Sequence, residues 1–147
     1  MNSDAFNQLK ARIAANPIHF ELGNPATEET ISKAEQFLGV RFPETYSRFL
    51  RTWGTLAIGP LEFYGIAGND FEKSSVPDGI WFTQAKRKQL GLPTNLIVLL
   101  DNNGDEYYSV DTNSGKVVTW EVPTRRVGRE LADDVFNFIL KESKDWL

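Results

Sequence analysis

The chain of 147 residues contains no cysteine and a single histidine, His19. Without cysteine it can form no disulfide, no thiolate metal site and no cysteine nucleophile, a composition that fits a reducing compartment. One histidine excludes a metal site built from several imidazoles and leaves one candidate for a general base. Because His19 lies between Ile18 and Phe20, just after Pro17, we predict that it is structural or merely exposed.

Long apolar runs are also missing, since the longest, residues 96–100, has five members. A helix that spans a bilayer needs about 20. The N-terminal residues 1–10 mix Asp4, Asn7 and Lys10 among apolar side chains and contain no apolar signal-peptide core. We therefore predict a cytoplasmic protein with no membrane partner.

Basic residues are fewer than acidic residues. The chain has 16 Lys and Arg against 20 Asp and Glu, a formal net charge of -4 at pH 7. This balance argues against direct binding of nucleic acid or of an anionic membrane, and it favours a basic partner. The sequence has two short basic groups. We interpret the first, residues 86–88, as a solvated helix face, and the second, Arg125, Arg126 and Arg129, as a loop.

Lysine and arginine are absent altogether from two stretches, residues 52–72 and 89–115. The acidic residues within them are Glu62, Asp70, Glu72, Asp101, Asp105, Glu106 and Asp111. Charge of one sign steers and orients a complementary partner, so these residues form the predicted partner-binding face. The alternative is a surface on which the charges carry no function.

Apolar residues at helical spacing predict helices over residues 4–15, 28–38, 43–53, 80–89 and 129–144. Thr27 and Asp78 are predicted N-caps, and Gly39 is a predicted C-cap. The third helix carries the widest apolar stripe, which consists of Tyr46, Phe49, Leu50 and Trp53. We predict that Phe49 and Trp53 belong to the core.

Runs rich in β-branched and aromatic residues predict strands over residues 56–58, 61–64, 95–101, 106–111 and 116–122. Gly59-Pro60 separates the first two strands, and residues 112–115 form a turn between the last two. The strands cluster in the middle of the chain instead of alternating with helices. The predicted fold class is therefore α+β, with a mainly antiparallel central sheet covered by helices, in one domain over residues 1–147.

Motifs for chemistry are few. Residues 101–106, DNNGDE, are rich in oxygen ligands, but the EF-hand spacing fails because the sixth and twelfth positions are Glu106 and Thr112. We interpret this segment as a polar turn, and we predict no catalytic residue, no cofactor and no metal. A small hydrolase that pairs Asp101 with Asp111, or Asp105 with Glu106, is a distant alternative.

Three segments carry a family resemblance: residues 41–54, RFPETYSRFLRTWG; residues 61–66, LEFYGI; and residues 97–112, IVLLDNNGDEYYSVDT. The first is the most specific, with a Pro, an aromatic residue and Phe-Leu on one helix. Together they resemble the SUKH superfamily, which includes fungal cell-wall synthesis regulators and many bacterial immunity proteins. The likeness covers about residues 25–143.

The resemblance implies an α+β fold with a central sheet wrapped by helices, and a role in binding proteins. Bacterial members typically neutralise toxins, often nucleases, by direct contact. It therefore implies a cytoplasmic immunity protein whose partner is a cognate toxin with a basic surface. A regulatory or scaffold protein-binding domain of the same fold is the alternative function.

Overall fold

The computed structural model of the protein describes residues 3–147. Its helices are α1 (Ser3–Ala15), α2 (Glu28–Leu38), α3 (Glu44–Thr52), α4 (Gly79–Leu90) and α5 (Val135–Ser143), the last followed by a 3-10 turn over Lys144–Trp146. Its strands are β1 (Phe20–Leu22), β2 (Leu56–Ile58), β3 (Leu61–Phe63), β4 (Leu96–Asn102), β5 (Glu106–Asp111), β6 (Val117–Glu121) and β7 (Arg126–Ala132). The predicted α+β class is confirmed.

Capping residues define both ends of α2, as the sequence predicts. The Thr27 side chain accepts a hydrogen bond from the N–H of Thr30 at the start of α2, and Gly39 ends that helix in the left-handed region with φ 69°. The prediction that Pro43 is the first residue of α3 is wrong by one position. Pro43 has an extended ψ of 148°, and the helix begins at Glu44.

All strand pairs are antiparallel, and they form two sheets instead of the single central sheet that the sequence predicts. The orders are β1-β2-β3 and β4-β5-β6-β7. The sheets adjoin where the backbone N–H of Tyr64, just after β3, donates to the carbonyl oxygen of Leu99 on β4 at 2.7 Å. β1 was not predicted, because only the first of its three residues is buried, so it lacks the apolar pattern that indicates β2.

The closing helix predicted over residues 129–144 is wrong in its first part. Leu131 fits the helical spacing, but Asp134 caps the helix by accepting a hydrogen bond from the N–H of Asn137 at 2.9 Å. The preceding residues form β7, in which the N–H of Arg129 donates to the Thr119 hydroxyl at 2.8 Å. β7 is an exposed, charged edge strand, so Arg126 and Arg129 lie on a strand and not in the predicted loop.

Within the four-stranded sheet, β4, β5 and β6 are covered on both faces, whereas the edge strand β7 is exposed. One face packs against α1, α3 and α5, where Phe49 and Trp53 are 0% and 6% exposed. The Trp53 ring centroid lies 5.8 Å from that of Phe6 and 6.3 Å from that of Phe136. The other face packs against α4 through a separate aromatic cluster that includes Trp120. The α3 stripe is thus confirmed as core.

Candidate partner-binding surface

The structure distributes the seven predicted acidic residues over four places. Glu62 lies on β3, and Asp101, Asp105 and Glu106 lie at the β4–β5 turn. Asp70 and Glu72 lie on the loop between β3 and α4, whereas Asp111 ends β5 at the far end of the hairpin.

The β4–β5 turn closes with its own polar groups, as the sequence predicts. Asn103 and Gly104 adopt left-handed φ values of 55° and 77°. The Asp101 carboxylate accepts a hydrogen bond from the N–H of Gly104 at 2.8 Å, and the N–H of Asp105 donates to the Asn102 carbonyl at 3.1 Å. This bonding fixes the position of the Asp101 carboxylate at the end of β4.

Glu62 and Asp101 act on one common group, the hydroxyl of Tyr64. Burial first, and then the negative charges of Asp101 and Glu62, raise the pKa of Tyr64 to about 12. Burial and Asp101 also raise the pKa of Tyr107. The two carboxylates therefore both lie close enough to the Tyr64 hydroxyl to act on it, although they belong to different sheets.

A third carboxylate lies across the three-stranded sheet from Glu62. Glu21 on β1 and Glu62 on β3 both pair with Ala57 on β2, so the three residues form one row. We call Glu21, Glu62 and Asp101 the acidic strip. Glu21 was not predicted, although residues 13–32 form another stretch without Lys or Arg. This third stretch without basic residues is the sequence feature from which Glu21 could have been predicted.

Ion pairing distinguishes Glu106 from the acidic strip and from Asp105. The Glu106 carboxylate lies 3.4 Å from the Arg129 guanidinium, so its charge is partly compensated. Within residues 3–147, neither Asp105 nor any member of the strip forms an ion pair. The strip and Asp105 therefore present uncompensated negative charge.

Asp70 and Glu72 lie at a different feature, a groove formed by two adjoining cavities: Glu72 lines both, the one of about 640 Å³ between α2 and α4 and the one of about 470 Å³ beside α2, and Asp70 lines only the smaller. Phe37 and Phe71 meet there with ring centroids 5.7 Å apart. Asp70 accepts hydrogen bonds from the N–H groups of Glu72 and Lys73 at 3.2 and 3.3 Å, so it shapes its own loop. With lysines also among its lining residues, the groove carries mixed charge.

Asp111 lies at the opposite end of the hairpin from Asp101. It accepts hydrogen bonds from the Asn95 side chain at 3.1 Å and from the N–H of Asn113 at 2.9 Å. Asp111 pairs with Leu96 and Asp101 with Tyr107, which puts five residues of strand, about 16 Å, between the two acids. That separation exceeds the 5–9.5 Å or so of a hydrolytic carboxylate pair, so pairing Asp101 with Asp111 was wrong.

The basic group at residues 86–88 was also misinterpreted in part. Arg87 is half-buried, and its guanidinium donates to the Leu38 carbonyl at 2.7 Å and to the Thr94 carbonyl at 2.8 Å. It joins the end of α2 to the chain beyond α4. The residue is therefore structural and not part of a solvated face.

Asp78, predicted as the cap of α4, is more deeply buried than a typical cap. Its carboxylate accepts hydrogen bonds from the N–H groups of Ile80 and Trp81, each at 3.0 Å, and from that of Ala67 at 3.2 Å. The side chain is fully buried, and this burial raises its pKa. Asp78 thereby anchors the loop after β3 to the start of α4.

Two further findings concern metal binding and membrane-spanning helices. Among residues 3–147, no group of three or more His, Cys, Asp or Glu side chains is arranged to hold a metal ion. No helix in the same part of the chain combines the length and apolar content needed to cross a bilayer.

The family model SUKH_5, described as SMI1-KNR4 cell-wall, matches residues 3–144, so the chain belongs to this family. The resemblance found in the sequence is thereby confirmed.

Other comparisons add the fold alone. No curated protein matches the chain. A solved structure described as a protein from Pseudomonas syringae pv. tomato is similar, with a TM-score of 0.65 and 22% sequence identity. The similarity covers 82% of this chain and 83% of that one.

Proposed function

We propose that the protein is a non-catalytic immunity protein that acts in the cytoplasm. It binds a toxin domain with a basic surface, of the nuclease kind, and neutralises it by direct contact. The observation that carries this proposal is the acidic strip, whose three carboxylates have no cationic partner in the described chain.

Electrostatics explains how such a strip would serve an inhibitor. A one-signed surface raises the rate of encounter with a surface of the opposite sign by about 10- to 1,000-fold at low salt. A nuclease that binds the phosphate groups of its substrate needs cationic side chains in its substrate cleft. An acidic surface that covers those side chains competes directly with the nucleic acid, and membership of the SUKH superfamily supports this role.

Charge reversal of the strand acids should slow toxin binding without unfolding the protein. We expect the triple variant Glu62→Lys, Asp101→Lys, Asp105→Lys to associate about 10- to 100-fold more slowly at low salt. Stopped-flow mixing with a cognate nuclease toxin domain measures the rate. Raising the salt from about 0.1 M to about 1 M shortens the Debye length from about 10 to about 3 Å, and should slow only the native protein appreciably.

A matched control reverses three exposed acids that lie elsewhere, namely Asp4, Glu29 and Asp133. It carries the same net charge as the test variant, so it separates the position of the charges from their sum. Equal slowing by both variants would show that only net charge matters. Association that is insensitive to salt in the native protein would contradict the electrostatic mechanism.

A further inference from the structure

The outer face of the three-stranded sheet is open to solvent, and it forms a shallow cup of about 250 Å³. Ala57 lies on its floor, between Glu21 and Glu62 on the neighbouring strands. Two strand spacings put the α-carbons of the glutamates about 10 Å apart. The opposite face of this sheet is covered, since Phe63 packs edge-to-face on Phe138 with ring centroids 6.0 Å apart.

Apolar side chains border the cup. Ile18, in the turn between α1 and β1, is 94% exposed, the highest value among the large apolar residues described. Pro60 lies in the β2–β3 turn on the same rim. Next to it, the Trp146 ring lies against Gly59, where an added Cβ would be 3.0 Å from the ring, and Trp146 is itself 47% exposed.

The charges around the cup determine which occupant fits. Its lining contains the carboxylates of Glu21 and Glu62, the imidazole of His19 and, within the described residues, no lysine or arginine. An anionic or purely apolar occupant would leave two carboxylates desolvated without partners, which is costly. A guanidinium suits the place, because it is planar, weakly hydrated and able to donate to two carboxylates at once.

The geometry points to this cup as the docking site for a partner loop that carries an arginine next to an apolar residue. The guanidinium lies over Ala57 between Glu21 and Glu62, and the apolar side chain packs on Ile18. This inference rests on the proposed function, because it specifies which part of a basic partner the acidic strip receives. It also makes Ile18 a contact residue, in keeping with its unusual exposure.

An NMR titration of the full chain tests the inference without the toxin. The probe is the dipeptide acetyl-Arg-Leu-amide, and its neutral counterpart is acetyl-citrulline-Leu-amide, which has nearly the same shape. We expect saturable amide shifts confined to residues 18–21 and 57–62 with the first peptide and not with the second. Glu21→Gln and Glu62→Gln should each weaken binding about two- to fivefold, whereas Glu29→Gln on α2 should not.

A second comparison addresses the apolar contact. The native protein should bind acetyl-Arg-Leu-amide more tightly than acetyl-Arg-Gly-amide, and Ile18→Ser should abolish that difference. Equal shifts with the citrulline peptide, or shifts spread over all exposed acids, would overturn the inference. If toxin binding depends on the acidic strip as proposed while the peptide shows no localised shifts, then the cup alone is refuted.

Discussion

Replacing Phe49 with alanine should lower the free energy of unfolding by about 3–5 kcal/mol, a large share of the stability of a domain this size. The Phe49 side chain is fully buried, and its ring lies between those of Tyr46 and Trp53, with centroids 6.2 and 6.1 Å away. Truncation therefore removes transfer free energy and leaves a cavity that rigid aromatic neighbours cannot fill. Urea denaturation followed by tryptophan fluorescence measures the loss.

Ile18→Ala provides the control for this prediction. It also truncates a large apolar side chain, but one that is almost fully exposed, so stability should change by no more than about 0.5 kcal/mol. Should Phe49→Ala leave stability unchanged while binding is lost, the α3 stripe would be an interface and its assignment to the core would be wrong.

Asp78→Ala should cost about 3 kcal/mol, more than the removal of an ordinary helix cap. The substitution leaves the N–H groups of Ile80, Trp81 and Ala67 without their acceptor, and the N–H of Ile80 is buried. It removes the cap of α4 and the anchor of the preceding loop together. Thermal and urea unfolding should both report the loss.

The matched control is Thr27→Ala at the start of α2. Thr27 caps its helix in the same way, through a 3.1 Å hydrogen bond from the N–H of Thr30, but the site is exposed. Water can replace the lost acceptor there, so we expect a cost of about 1 kcal/mol. Equal costs at the two caps would mean that Asp78 acts as an ordinary cap and that its burial adds nothing.

The sequence predicts those parts of the fold whose determinants are local. The capping hydrogen bonds of Thr27, Gly39 and Asp78 join groups within four residues of each other, so the predicted bounds of α2 and α4 agree closely with the structure. β7 could not be predicted, because Val127 and its neighbours are exposed and the strand exists only through its pairing with β6. Long-range pairing of this kind leaves no periodic signal in the chain.

The negative charge of the candidate surface could be predicted from the sequence, but the set of residues that form the surface could not. Composition shows that acids accumulate where lysine and arginine are missing, and Glu62 and Asp101 come together although 38 residues separate them. The same reasoning could not show that Asp111 is used to close a turn, since that depends on hairpin register. Nor could it place Glu21 beside Ala57, because β1 itself was not predicted.

Titration of a candidate toxin's nuclease activity is the most direct test of the proposed immunity role. The purified protein is added in increments to the toxin domain proposed as its partner, and cleavage of a nucleic-acid substrate is followed. We predict that activity falls linearly to zero at one equivalent, and that the variant with lysine at positions 62, 101 and 105 inhibits far less at equal concentration. Undiminished cleavage at a large excess of the native protein would contradict the account and favour a regulatory or scaffold role for the same fold.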